Sequence, residues 1–329
     1  MLNIGLLGCG RIGAVHARSI KQHPDAQVTT LSDAIPAAAQ ALAETSGAAV
    51  LDSDALINSA DVDAVIIGTP TDTHYDLIHK AAAAGKAIFC EKPIDMSAAR
   101  IRDCIRAVTA AGVPFMTAFN RRFDPSFANL QARLAQGEIG DAEIITILSR
   151  DPAPPPIGYI KSSGGIFRDM MIHDLDMARF LLGEEPVQVF AVGSALVDPE
   201  IGAAGDVDTA AVTLTTASGK ICQISNSRRA TYGYDQRIEV HGSGGMLRAA
   251  NVHENTVEVA TGSGFQTAPT MHFFLERYEL AYAREIAHFV EALRQGTPPG
   301  PGIDDGLKAQ LLADAATRSW QDGTVVTLG

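Results

Sequence analysis

A short apolar run, Asn3-Ile4-Gly5-Leu6-Leu7, leads into Gly8-Cys9-Gly10-Arg11-Ile12-Gly13 and then a helical pattern from Ile12 to about Gln22. Strand, G-x-G-x-x-G turn and helix in direct succession form the arrangement that cradles a dinucleotide pyrophosphate. Gly8 permits the tight turn, Gly10 lets the backbone approach the phosphates, and Gly13 lets the helix pack close to the strand. The helix N-terminus then offers N–H groups and partial positive charge to the anion. A second predicted strand, Val28 to Asp33, places a carboxylate twenty residues beyond the last glycine, where it accepts from the cofactor ribose hydroxyls. Gly8, Gly10, Arg11, Ile12, Gly13 and Asp33 are therefore candidate cofactor-binding positions. Ala34 and Ile35 follow Asp33 with no Arg to neutralise a 2′-phosphate, so the expected cofactor is NAD rather than NADP. The structural alternative is a glycine turn with an ordinary helix-capping Asp.

The pattern continues for about 120 residues as alternating strands and helices. Helices are expected over Ile35–Ser46, His74–Ala84 and Ser97–Gly112, with Ser97 as N-cap and Gly85 and Gly112 as C-caps. Strands are expected over Ala48–Leu51, Asp63–Gly68, Ala87–Cys90 and Pro114–Phe119. This alternation implies a doubly wound parallel sheet, an N-terminal Rossmann domain spanning 1–121. From residue 122 a helix (Pro125–Gln136), a strand (Ala142–Ser149), a proline-rich loop and a helix (Phe167–Leu182) precede successive strands from Val187 to Val259. Two helices close the chain and could pack back on the first domain. The second domain, 122–329, thus reads as α/β with a large, mostly antiparallel open sheet. A sheet covered on one face must hide the other, which implies a sheet-to-sheet homo-oligomer.

The chain's 329 residues suffice for two such cores. A net charge of −12 disfavours nucleic acid and anionic membrane as partners, because both require basic surface. No apolar run is long enough to span a bilayer and no targeting signal is expected. Four scattered cysteines without a C-x-x-C pair suit a reducing cytoplasm and argue against a cysteine zinc site; no metal is expected.

In an open parallel sheet, ligands bind beyond the carboxyl ends of the strands. That rule selects Thr69-Pro70-Thr71 with His74, Glu91-Lys92-Pro93, and Asn120-Arg121-Arg122. Lys92 can hydrogen-bond a substrate hydroxyl and exchange a proton, and Pro93 would fix the chain direction, through a cis or a trans bond; a solvated Glu-Lys pair is the alternative. In the second domain, Asp169, His173 and Asp176 fall at i, i+4 and i+7 of one expected helix face. A carboxylate one turn from an imidazole makes a general base; a structural histidine or a metal site are the competing readings. Tyr159 and Tyr234, with Lys161 and Tyr232, are weaker candidates for a polar substrate pocket.

Taken together, these motifs resemble the glucose–fructose oxidoreductase / inositol dehydrogenase / rhizopine catabolism family. The resemblance rests on Gly8–Gly13, Thr69-Pro70-Thr71 with His74, Glu91-Lys92-Pro93, and Gly164-Gly165 followed by Asp169 and His173. Within the family, Ala118–Asp124 and Gly165–Asp176 resemble the inositol 2-dehydrogenases. The resemblance implies NAD-dependent oxidation of a ring hydroxyl of a cyclic polyol or sugar, myo-inositol to 2-keto-myo-inositol foremost. It assigns Lys92, Asp169 and His173 as the catalytic trio. Thr69, Pro70, His74, Glu91, Lys92 and Asn120 join the cofactor positions, and Lys92, Asp169, His173, Tyr159 and Tyr234 the substrate positions. It also implies a tetramer. Oxidation of scyllo-inositol or an aldose, and a non-catalytic regulator of the same fold, are the alternative functions.

Overall fold

The computed structural model describes residues 1–328. In chain order its elements are β1 (Leu2–Leu7), α1 (Arg11–Lys21), β2 (Ala26–Ser32), α2 (Pro36–Ser46), β3 (Ala49–Val50), α3 (Ser53–Asn58), β4 (Ala64–Ile67), α4 (Thr71–Ala83), β5 (Ala87–Cys90), α5 (Ala98–Ala111) and β6 (Phe115–Thr117). There follow a 3-10 turn at Asn120–Phe123, α6 (Pro125–Ala135), β7 (Ala142–Arg150), α7 (Ile157–Ser162), α8 (Ile166–Asp169), α9 (Ile172–Leu182), β8 (Pro186–Ser194), α10 (Pro199–Ala203), β9 (Thr209–Thr216) and β10 (Ile221–Ser227). The remainder is β11 (Asp235–Gly242), β12 (Gly245–Ala249), β13 (Glu258–Thr261), β14 (Gly264–Thr267), α11 (Phe274–Arg277), α12 (Glu279–Gln295), α13 (Ile303–Asp322) and β15 (Val326–Thr327). The chain divides into two units. One is Met1–Phe123 with Leu280–Gln310, and the other is Asp124–Glu279 with the stretch from Leu311 onward.

In the first unit, six strands pair in the order β3-β2-β1-β4-β5-β6, every pair parallel. Chain order reverses between β1 and β4, which is where such a sheet opens a crevice for a ligand. The strands are apolar throughout because both faces are covered. Ile4, Leu6, Ile66 and Phe89 pack on one side with Ile286, Phe289 and Val290 of α12. Val65, Ile67, Ile88 and Cys90 pack on the other with Ile78 and Ala81 of α4 and Ile101 and Cys104 of α5. A face left bare by the first 123 residues would expose Phe89, whose full burial stabilises by about 1.5–3 kcal/mol; the late helix α12 covers it. The expected caps of α5 are in place, with the Ser97 hydroxyl accepting from Arg100 N and Gly112 left-handed at φ 64°. The helix α3 has an Asp52 side chain capping Ala55 N at 2.8 Å, a signal too short to read without its context.

The second unit holds a seven-stranded sheet in the order β12-β11-β7-β10-β9-β8-β15. Only β7 and β10 pair in parallel; the other neighbours are antiparallel. Alternate residues point to opposite faces. Ile145, Ile147, Val189, Ala191, Ile224, Ile238 and Val240 are buried, while Ile144, Phe190, Val192 and Met246 on the opposite face are 39–51% exposed. β13 and β14 form a separate exposed hairpin.

The core of the first unit contains one group that burial works against. Glu285 of α12 is fully buried, and neither carboxyl oxygen has a hydrogen-bond partner. Burial first, and then the charge of Glu91, raise its pKa well above the ordinary carboxyl range. The folded chain therefore binds a proton there that the unfolded chain releases above about pH 4.5. Stability is fully present below that pH and falls as pH rises toward the folded pKa, by about 1.4 kcal/mol per pH unit for one proton. Glu285→Gln, which cannot ionise, should raise the Tm at pH 7–8 and lose that advantage near pH 4. A Tm difference that does not change with pH would refute this.

Candidate active site

The first unit assembles its site at the carboxyl ends of β1, β2, β4 and β5. Gly8 has φ +94°, and a Cβ there would lie 2.6 Å from the backbone of Gly68 in the turn after β4. A Cβ on Gly13 would lie 2.0 Å from the Gly8 carbonyl oxygen, so α1 could not sit so close to β1. A Cβ on Gly10 would meet nothing within 4 Å, and this residue caps the N-terminus of α1 with no side-chain hydrogen bond. The turn is thus closed on its protein side and open on the side a phosphate would occupy. Asp33 follows β2 directly. Its Oδ2 accepts from Cys9 N at 2.6 Å and its Oδ1 from Ile35 N at 2.7 Å. A carboxylate has about four acceptor positions, so two remain for ribose hydroxyls. These residues fit a dinucleotide.

Beyond β4 and β5 the structure brings Thr69, His74, Glu91, Lys92 and Pro93 together. The Lys92–Pro93 peptide is cis. His74 is 1% exposed, its Nε2 2.8 Å from the Thr69 carbonyl oxygen and its Nδ1 3.0 Å from that of Pro93. Burial outweighs these bonds and lowers its pKa. A neutral imidazole has one N–H, so the buried ring donates to one of these two backbone oxygens, the tautomer setting which. Thr69 accepts from the Thr73 hydroxyl, and Pro70 is exposed at the start of α4. Glu91 Oε1 is 2.7 Å from His16 Nε2, and Oε2 accepts from Lys92 N at 3.3 Å. Lys92 is half-buried, and Asn120 is 3% exposed at the start of the 3-10 turn.

In the second unit, the expected single helix Phe167–Leu182 is two helices, α8 and α9. Met171 N donates to Ile166 O at 2.8 Å, five residues back, widening the turn at Met170-Met171. Such an insertion rotates the later turns relative to the earlier ones, so the stretch is not one continuous helix. Asp176 is 1% exposed, with Arg179 Nη1 3.5 Å away, and Asp174 is fully buried and accepts from Asn226 Nδ2 at 2.9 Å. Within Ile172–Arg179, only His173 keeps solvent access. Asp169 Oδ1 accepts from the Tyr159 hydroxyl at 2.9 Å, and Oδ2 from Nη2 of Arg228 at 3.2 Å. Tyr159 lies on α7, in the stretch expected to be loop, and is 50% exposed. Tyr234 is 4% exposed, its ring edge-on to Tyr278.

Three site neighbours carry no signal in the sequence. Arg228, 1% exposed, follows β10 and holds Asp169 from 59 residues away. Asp206 Oδ1 accepts from Ile166 N at 3.1 Å, so it caps α8 from 40 residues further on. Gly165 has φ +85°, and its Cβ would lie 2.7 Å from that oxygen, which gives the Gly164-Gly165 motif a physical reason. His16 sits on α1 as a lone histidine. None of the three has a periodic or spacing signal, because each partnership is made across the fold. Among the described residues, no group of three or more His, Cys, Asp or Glu could hold a metal, and no helix is long and apolar enough to cross a membrane.

A six-stranded parallel sheet with an open glycine turn and an acid at the end of β2 defines a dinucleotide-binding Rossmann fold. The chain belongs to the GFO/IDH/MocA oxidoreductase family. Residues 2–119 match the model of the oxidoreductase family, NAD-binding Rossmann fold, and 127–248 match the GFO/IDH/MocA C-terminal domain. Inositol 2-dehydrogenase of Rhizobium meliloti (strain 1021) is 55% identical over 318 residues, covering 97% of this chain and 96% of that protein. The crystal structure of a myo-inositol dehydrogenase from Corynebacterium glutamicum ATCC 13032 superposes with TM-score 0.96 at 45% identity, covering 100% of this chain and 99% of that one. Scyllo-inositol dehydrogenase from Lactobacillus casei, solved with NAD(H) and scyllo-inositol, gives TM-score 0.93 at 30% identity, covering 99% of this chain and 99% of that one.

Proposed function

We propose that this protein is an NAD-dependent dehydrogenase of cyclic polyols that oxidises myo-inositol to 2-keto-myo-inositol. The observation that carries this reading is Asp169, fixed by Tyr159 and by the buried Arg228, four residues before the solvent-accessible His173. In this reading His173 takes the proton of the substrate hydroxyl as general base. Asp169 orients the imidazole and stabilises its charged form. Lys92 hydrogen-bonds the same oxygen and limits its charge build-up. NAD, when bound, supplies the acceptor for the hydride leaving the alcohol carbon. Tyr159 and Tyr234 are assigned to the substrate side. Thr69, Pro70, His74, Glu91 and Asn120 are assigned to the cofactor side together with the glycine turn and Asp33.

Initial rates of NAD reduction with myo-inositol, scyllo-inositol and D-glucose test this directly. Turnover of myo-inositol is expected; turnover of none of the three, with NAD binding demonstrated by fluorescence, would overturn the reading. The relative crystallised with scyllo-inositol makes that ring the second reading. Specificity depends on which hydroxyl is presented for reaction, so a shifted substrate would leave the residue roles unchanged.

The Asp33 carboxylate would meet a 2′-phosphate as a like charge, at a cost of several kcal/mol. We therefore expect kcat/KM with NADP to be at least about 100-fold below that with NAD. Comparable values would remove Asp33 from the cofactor site.

The protein is further assigned as a cytoplasmic homotetramer associating through the outer face of the second unit's sheet. Ile144, Phe190, Val192 and Met246, all exposed on that face, support this. Sedimentation at micromolar concentration should give a tetramer, and a monomer would refute the interface.

A further inference from the structure

The residues on either side of Lys92 are each anchored by a buried histidine. On one side is Glu91, whose backbone N–H donates to Ile67 O of β4 at 2.9 Å. Its carboxylate uses both oxygens. Oε1 is 2.7 Å from Nε2 of His16, and Oε2 is 3.3 Å from the Lys92 amide. His16 lies on α1, the helix that starts at the glycine turn. It is fully buried, with its ring edge-on to Phe89 at 5.1 Å and to Tyr282 at 6.0 Å. On the other side is Pro93, whose carbonyl oxygen is 3.0 Å from Nδ1 of His74, while Nε2 of the same ring is 2.8 Å from Thr69 O. His74 lies on α4, the helix that follows the β4 mouth. The two helices that frame the cofactor crevice thus each send one imidazole inward, and the two rings converge on a three-residue segment.

Burying polar rings in this way contributes little to stability, because desolvation offsets most of what the hydrogen bonds return. It does remove freedom from the backbone at residue 92. A side chain that must meet a reacting oxygen loses rate steeply when it is misplaced by about 1 Å. We propose that His16, acting through Glu91, and His74, acting through Pro93, are positioning residues that brace Lys92 from both sides and hold its amine in register for the reaction. The proposal rests on the assignment of Lys92 to that reaction. It moves His74 and Glu91 from contact with the cofactor to support of the lysine.

The test uses the full-length enzyme and the variants His16→Ala, His16→Gln, His74→Ala and Lys92→Ala. Each alanine brace variant should lower kcat by about 10- to 100-fold, with the NAD dissociation constant and the polyol KM within about threefold of wild type. His16→Gln, whose amide N–H can still donate to Glu91, should recover most of the loss. Hydrogen exchange followed by mass spectrometry supplies a readout that needs no turnover. In both alanine variants the peptide containing Lys92 should exchange about tenfold faster, while the β1 and β4 peptides stay protected.

Wild-type kcat in the alanine variants overturns the brace, as does unchanged exchange at Lys92. A raised NAD dissociation constant at constant kcat would overturn it in favour of cofactor contact. Should an alanine variant fail to fold, His16→Leu and His74→Leu, which keep bulk and remove the ring N–H, carry the same two readouts. If Lys92→Ala itself turns over normally, the catalytic assignment fails, and the exchange data still decide whether the two histidines restrain the segment.

Discussion

Lys92→Ala should reduce kcat by about 100- to 10,000-fold, the usual reach of a positioned acid–base group, while NAD binding by fluorescence stays near wild type. The binding half of this expectation follows from the glycine turn and Asp33, which lie on other strands and do not require the lysine. The catalytic half follows from position. Lys92 sits directly beyond β5, in a segment whose neighbours are tied to β4, α1 and α4, so its amine has few backbone states to choose among. His173→Ala should produce a loss of similar size, and the double variant should lose much less than the product of the two, because groups acting in one proton transfer are not additive. Lys92→Arg should not restore activity, since a guanidinium stays protonated and presents a wider fork. Near-normal turnover in either single alanine variant would overturn the mechanism.

Asp124→Ala should cost about 3–5 kcal/mol of stability, because it leaves a buried guanidinium without its carboxylate. Asp124 Oδ2 accepts from Nη1 of Arg277, and both side chains are only 2% exposed. The other oxygen accepts from the amides of Ser126 and Phe127 at 3.0 and 3.1 Å, closing the N-terminus of α6, whose first residue is Pro125. Loss of that cap adds about 1 kcal/mol. Arg277 also lies 4.8 Å from the Tyr278 ring and 5.5 Å from that of Phe127, so its charge is held among aromatic faces with one carboxylate to balance it. Urea denaturation checks the figure. Combining Asp124→Ala with Arg277→Met should recover much of the loss by removing the stranded charge, and a single-variant loss below about 1 kcal/mol would show that the pair is not a structural tie. Asp124 belongs to the Ala118–Asp124 stretch that supports the family resemblance, yet its hydrogen bonds make it a structural member of that stretch rather than a chemical one.

Much of the first unit was legible in sequence because its signals are local. Strand, glycine turn and helix occupy consecutive residues, and Ser97 and Gly112 bound α5 by chemistry that acts within one turn. The second unit was less legible. Its strands alternated clearly, but the register that puts β7 parallel to β10 in the middle of an antiparallel sheet is a long-range choice. The break between α8 and α9 is not legible in sequence for a related reason. Met170 and Met171 both keep helical backbone angles, and only the bond from Met171 to Ile166 shows the widened turn. The proline run before Ile157 obscured α7, and with it the helix that brings Tyr159 to Asp169.

The sequence alone determined the cofactor class, the alternation that builds the parallel sheet, and the identity of Lys92, Asp169 and His173 as candidates. Each of these is written in residue types at short spacing, where steric demand and hydrogen-bonding capacity act between near neighbours. The tertiary structure alone decided what holds those candidates in place: His16 on Glu91, His74 on Pro93, Arg228 on Asp169 and Asp206 on the start of α8. It also decided that α12 returns to cover the face of the first sheet. These partners are 19 to 75 residues apart in the chain where a hydrogen bond joins them, and farther still for α12. A buried polar group accepts whatever partner folding delivers to it, and that delivery depends on packing of the whole chain rather than on any local pattern.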